Sequence, residues 1–244
     1  ANLSTAEDKL QLMLKFVGTR HAVTYVHSTI VSKAALLMLD SIFAHCPEQM
    51  IGVCGARSAL DVLRRRDIIR TFTERAALLH DIGKNSLIDV ITTDHRMIND
   101  LEFAAIKRHP KLGADSLSLD AALRPYRDVA FGHHKFYNGL GGYPAEFDNR
   151  VSPIKPLIDL VTICDCMDAA TDFLGRNYHR AKTLEQVCEE FKQDSGIRYH
   201  PRFVALLSED RALFDRLDHL VSIERRDVYY GVYRQFFSDA ETAS

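Results

Sequence analysis

No apolar run in this 244-residue sequence approaches the roughly 20 residues that a bilayer-spanning helix needs. On that ground the sequence excludes a transmembrane segment. Neither charge sign is in excess: 31 Lys+Arg stand against 33 Asp+Glu, a net −2 at pH 7. That balance argues against the broad basic surface of a polynucleotide-binding protein. Cysteine is scarce, and Cys46, Cys54, Cys164, Cys166 and Cys188 are an odd number without a disulfide-framework spacing. They suit a reducing, cytoplasmic setting better than secretion. Ala1 to Asp8 lacks the basic stretch of a signal peptide, and the chain opens with Ala, not Met, as a piece of a longer polypeptide would. Low-complexity linkers and internal repeats are missing as well.

What remains is an ordinary globular composition, 46% hydrophobic and 26% charged, enough for one large domain or two small ones. Histidine stands out, with 11 in a nearly neutral chain, and it is the commonest protein metal ligand.

Apolar positions recur at spacings of three and four almost throughout, and none alternates with a period of two long enough for a sheet. The pattern predicts an all-α fold. Helices are expected over 24–43, over 58–79 with Leu60, Leu63, Ile68, Phe72, Ala76 and Leu79 as the apolar stripe, and over 99–108, stopping at His109-Pro110. Others are expected over 113–122, 126–134, 156–172 and 183–193, with two more after Pro201. Asn138 to Pro144 packs three glycines and a proline into one loop, and Arg64-Arg65-Arg66 reads as a solvated helix face.

The ligand-type residues sit on inward faces. His80 ends an apolar helix four residues past Ala76, and His27 has Val23, Ile30, Val31 and Ala34 at helical spacing around it. Asp165 lies among Ile158, Val161 and Ala169, while His109, His133 and His134 lie at helix ends. One buried histidine is usually a satisfied core residue. An ionised buried carboxylate, by contrast, needs a cation or several hydrogen bonds. Two inward carboxylates with five histidines would be costly without a metal, and a donor set of imidazole and carboxylate suits iron, manganese, nickel or zinc. Cys164 and Cys166 flank Asp165 but point away from it on a helix, as small core residues.

These residues fall into blocks that resemble the HD-GYP family. His80-Asp81-Ile82-Gly83-Lys84 matches its HDxGK signature and Gly142-Tyr143-Pro144 supplies the GYP. Leu101 to Ala114 is similar to the family's block ending H-P-x-x-G-A, and His133-His134 precedes Tyr137-Asn138-Gly139 as in its HHExxDGxGYP segment. Asp165 with Asp168-Ala169-Ala170-Thr171, then Arg176-Asn177-Tyr178, resemble two downstream blocks, and His27-Ser28 the upstream one. The resemblance spans about residues 20 to 207. It implies a catalytic domain over 21–207, a connecting helix over 1–20 and a helical extension over 208–244.

The family consists of metal-dependent phosphodiesterases of cyclic di-GMP, some acting on cyclic GMP-AMP. The resemblance implies His27, His80, Asp81, His109, His133, His134 and Asp165 as metal ligands, with Asp81 bridging. Three-metal members carry Glu four residues before the first His; here Val23 stands there, so two divalent ions, iron or manganese, are expected. Two such cations can clamp a phosphodiester for in-line attack. Lys84 is the expected catalytic cation beside them, and Gly142, Tyr143 and Pro144 are expected to meet a guanine or a partner. Arg176 and Lys182 are candidates for the second phosphate.

Three departures bear on specificity: Lys135 replaces the family's Glu, Asn138 replaces its Asp with one extra loop residue, and the 165–176 stretch is two residues longer, with His179 after the tyrosine. The leading expectation is hydrolysis of cyclic di-GMP to linear pGpG or GMP. The alternatives are a cyclic-dinucleotide receptor or interaction module, and an HD phosphohydrolase of another nucleotide. Such domains follow sensor or receiver domains, which makes an upstream domain or a diguanylate cyclase the expected partner.

Overall fold

The computed structural model describes residues 5–91, 98–175 and 181–237. Among these residues every regular element is helical, and the extended pairings are the isolated bridges Lys135–Gly142 and Ser195–Tyr199. The all-α expectation holds.

A capping box between Thr5 and Asp8 starts α1 (Ala6–Arg20). His21 breaks the helix and caps the next, its Nδ1 accepting from the Thr24 N–H at the head of α2 (Ala22–His45). Ile30, Val31, Ala35, Met38, Leu39 and Ile42 make α2 the central core helix. Its length and composition correct one expectation: α2 is long and apolar enough to cross a membrane, at a mean hydropathy of 1.4. In this fold 67% of its most apolar window is buried among the other helices. No unbroken apolar run marks it, because Thr24, His27, Ser28, Thr29, Ser32, Lys33, Asp40 and Ser41 are interspersed among its apolar residues.

The segment expected as one helix over 58–79 is two, α3 (Ala59–Arg64) and α4 (Arg66–Leu79). Arg65 separates them at φ −100° and ψ 10°, its side chain reaching back to Asp61 Oδ1 and the Cys54 carbonyl. The buried face is not the expected stripe: Leu60, Leu63 and Ile68 are exposed, while Val62, Ile69, Thr73 and Ala76, spaced seven, four and three apart, face inward with Ala77. Arg64 to Arg66 is exposed, as a solvated face should be.

A 3-10 turn (Ile82–Leu87) and the short α5 (Ile88–Ile91) follow. An Asn99–Glu102 capping box opens α6 (Asp100–Ile106). Pro110, expected to end a helix, instead sits in the first turn of α7 (His109–Ser118), where its missing N–H costs nothing. Next come α8 (Arg127–Gly132), α9 (Lys155–Thr171), α10 (Leu184–Gln193) and α11 (Pro201–Glu209). After α12 (Arg211–His219) a five-residue π turn, Leu220–Glu224, leads into α13 (Arg225–Phe237), so three helices follow Pro201 where two were expected.

The helix α2 packs against α4 and α9, and α1, α11, α12 and α13 close around it. Ion pairs from Lys9 to Asp120 and from Arg75 to Glu7, both 2.6 Å, hold α1 on the body. The helix ends that carry ligand-type residues meet where α2, α4, α7, α8 and α9 converge.

Candidate metal centre

His27 comes from the second turn of α2, His80 and Asp81 from the end of α4, His109 from the start of α7, His133 and His134 from the end of α8, and Asp165 from α9. All seven residues implied by the resemblance lie together. Exposure is 6% or less for His27, His80, Asp81, His109, His133 and Asp165.

The hydrogen bonds of the rings fix which nitrogen faces inward. His80 Nδ1 donates to the Ala77 carbonyl at 2.6 Å, His109 Nδ1 to Ile106 at 2.7 Å, and His133 Nδ1 to Ala130 at 2.9 Å. His27 Nδ1 donates to Asp168 Oδ2 at 2.5 Å. Each Nδ1 carrying its proton leaves a lone pair on Nε2. Those Nε2 atoms face one another, His27 to His80 at 3.2 Å and His109 to His133 at 3.1 Å. Two lone pairs at that distance repel unless a cation lies between or beside them.

Asp81 joins two halves of the cluster. Its Oδ2 faces His27 Nε2 at 3.3 Å and His80 Nε2 at 3.5 Å, while its Oδ1 faces His109 Nε2 at 3.1 Å and His133 Nε2 at 3.7 Å. Oδ1 is fully buried and has no hydrogen-bond partner. A buried carboxylate oxygen without a donor is costly, so this atom marks a position for a cation. Asp165 Oδ1 stands 3.1 Å from His27 Nε2, and its Oδ2 3.7 Å from His134 Nδ1. His27, His80 and Asp165 form one group able to hold an ion, His109, His133 and His134 another, and Asp81 lies with His80 and His133 between them. The donor set fits divalent cations.

The electrostatics of the cluster agree. Burial raises the cost of charge on Asp81 and Asp165, yet Lys84 and His80 hold Asp81, and His27 and His134 hold Asp165, well below the carboxylate range. Burial lowers His80 and His133 and pushes His134 down to about 3, keeping them neutral. For His27 burial is outweighed by hydrogen bonds to Asp165, Asp168 and Asp81, which raise it well above its ordinary value.

Lys84 leaves the 3-10 turn and pairs with Asp81 Oδ2, one-fifth exposed and able to reach outward. Gly83 permits this geometry: a Cβ there would lie 2.0 Å from the His109 carbonyl oxygen. Tyr143 lies against His134, ring centroids 4.5 Å apart and the planes tilted by 31°, with Lys107 Nζ 5.9 Å from the Tyr143 ring. Gly142 is at φ +77°, and a Cβ would lie 2.0 Å from the His134 carbonyl oxygen. The Tyr143 N–H donates to that carbonyl at 3.2 Å, and the Tyr143–Pro144 bond is cis.

The departures have local explanations. Lys135 is buried, and its ammonium donates to the Pro144 carbonyl at 3.2 Å. Asn138 Oδ1 accepts from the Leu140 N–H at 2.9 Å, a turn contact that an aspartate would also make. Lys182 is exposed and holds both carboxylate oxygens of Glu190, at 2.6 and 2.8 Å; none of these bonds is with the cluster. Arg176 and His179 lie outside the described residues.

Sequence reasoning gave no role to Asp168, which orients His27, although its place one helical turn past Asp165 carried the signal. It also missed Lys107 above Tyr143.

No protein-family model matches the chain. Among curated proteins, it is 30% identical over 174 residues to a cyclic di-GMP phosphodiesterase of Thermotoga maritima, covering 70% of this chain and 46% of that one. It is 36% identical over 184 residues to a cyclic di-GMP phosphodiesterase of Pseudomonas aeruginosa, covering 73% and 38%. It is 31% identical over 140 residues to a 3'3'-cGAMP-specific phosphodiesterase of Vibrio cholerae, covering 56% and 26%. The chain spans less than half the length of each of these relatives. With its ordered blocks and all-helical fold, the chain belongs to the HD-GYP family of the HD superfamily.

Proposed function

We propose that the chain is a cyclic-dinucleotide phosphodiesterase domain, acting on cyclic di-GMP to give linear pGpG or GMP. The observation that carries this reading is the convergence of four Nδ1-committed histidines on the two oxygens of Asp81, one of them orphaned.

Two divalent ions, iron or manganese, would be held by His27, His80 and Asp165 on one side and His109, His133 and His134 on the other, with Asp81 shared. Bound there, they would supply Lewis-acid charge to a phosphodiester and activate the attacking water. The rest is the work of side chains. Asp168 keeps His27 Nε2 turned inward. Lys84, released from Asp81, can donate to a non-bridging phosphoryl oxygen or to the leaving oxygen. Tyr143 offers a flat face beside the centre, on which a guanine can stack. Burial raises its phenol far above neutral pH, so it stays protonated and acts as a surface and a donor, not as a base. Arg176 remains a candidate for the second phosphate, and Lys182 would have to leave Glu190 to serve there.

The Lys135 ammonium beneath the GYP loop favours a second reading, a receptor that binds without cleaving. Incubating metal-loaded protein with cyclic di-GMP, cyclic GMP-AMP and cyclic di-AMP under reducing conditions separates the two by product. The relatives named for cyclic di-GMP and for 3'3'-cGAMP make both dinucleotides proper substrates for that test. We further propose that the segment 1–20, whose helix α1 is paired to the body through Glu7 and Lys9, links the catalytic segment 21–207 and its 208–244 extension to an upstream sensor or receiver domain or to a diguanylate cyclase.

A further inference from the structure

Arg225 is the largest of the fully buried side chains among the described residues, at 0% exposure, and lies beyond the stretch that resembles the family. It is the first residue of α13, delivered inward by the π turn Leu220–Glu224. Single-turn π segments within helices are frequent at functional sites. The guanidinium is committed at several points. Nε donates to the Val221 carbonyl at 3.0 Å and Nη2 to Thr171 Oγ1 at 2.9 Å. Nη1 lies 2.7 Å from Asp168 Oδ1 and 3.4 Å from Asp172 Oδ1.

The other oxygen of Asp168 takes the His27 Nδ1–H at 2.5 Å. A continuous line therefore runs from α13 through Arg225 and Asp168 to His27, whose Nε2 faces Asp81 and Asp165. A rigid planar guanidinium is suited to this, since its bonds to Val221 and Thr171 fix where Nη1 meets Asp168 Oδ1. We propose that Arg225 is a positioning residue for the metal centre, setting His27 through Asp168 and making the C-terminal helix part of the ion-binding apparatus. The proposal rests on the reading of the cluster as a metal centre. A role confined to anchoring α13 would leave ion affinity alone.

The test is titration of the metal-free full chain with Mn2+, free ion being read by its paramagnetic resonance signal. Arg225→Met is expected to weaken binding by about 10- to 100-fold, the range for residues that orient ligands. Arg225→Lys keeps the charge but not the fork and serves if the methionine variant fails to fold; a loss of at least about tenfold is expected. Asp168→Asn combined with Arg225→Met should be no weaker than the worse single variant, because both act on one bond. Val228→Ala, a cavity on the same helix, should lower the melting temperature without changing affinity. Wild-type affinity in the Arg225 variants, or an equal loss in Val228→Ala, overturns the proposal while leaving the metal centre standing. Wild-type protein that takes up no Mn2+ overturns both.

Discussion

Gly83 and His109 touch through their backbones: a Cβ on Gly83 would lie 2.0 Å from the His109 carbonyl oxygen and 2.5 Å from the Gly113 nitrogen. That contact seats the turn carrying Lys84 on the helix carrying His109. Gly83→Ala is therefore expected to push the two apart, costing about 2 kcal/mol or more through overpacking, with loss of bound metal. Chemical denaturation and metal analysis of the variant check this; a variant as stable as wild type would contradict it.

Lys84 is paired with Asp81 and one-fifth exposed. Lys84→Met should lower kcat by about 10²- to 10³-fold, the usual loss for one charge-stabilising donor. Metal affinity should not weaken, because the substitution removes a competing cation from Asp81. Steady-state kinetics beside a Mn2+ titration separate these effects.

Tyr143 faces His134 as an aromatic surface. Tyr143→Ala should raise KM about two- to twelvefold, in line with about 0.5–1.5 kcal/mol for a stacking pair. Tyr143→Phe should stay close to wild type.

Asp159 lies on α9 away from the cluster, 2.5 Å from Lys155 Nζ. Burial outweighs that partner and pushes its carboxyl up to about 6 from 3.8. The folded state thus binds a proton more tightly than the unfolded one. The associated stability is complete below about pH 4 and is lost as pH rises through 6. The difference amounts to about 3 kcal/mol. Asp159→Asn should accordingly be more stable than wild type at pH 7.5, with the gain shrinking towards pH 4. Melting temperatures of both proteins across that range check it, and a gain independent of pH would contradict it.

The seven ligand-type residues were legible because each sits at a helix end or on an apolar face within a spaced block. His80 and Asp165 show this most clearly. The helix break at Arg65 was not legible, because it depends on a side chain reaching the Cys54 carbonyl across a turn. Nor did Pro110 reveal that it opens a helix, since a proline suits the first turn as well as a stop. Arg225 gave no signal: 57 residues separate it from Asp168, and only the packing of α13 on the body brings them together.

The central claim is that the Asp81-centred cluster cleaves a cyclic dinucleotide. Its most direct test is chromatography of cyclic di-GMP after incubation, under reducing conditions, with metal-loaded wild type and with Asp81→Ala. Linear pGpG or GMP from the wild type, and none from a folded Asp81→Ala, is the expected result. Cyclic di-GMP recovered intact from wild type that carries its metal, or equal cleavage by the variant, would contradict the claim.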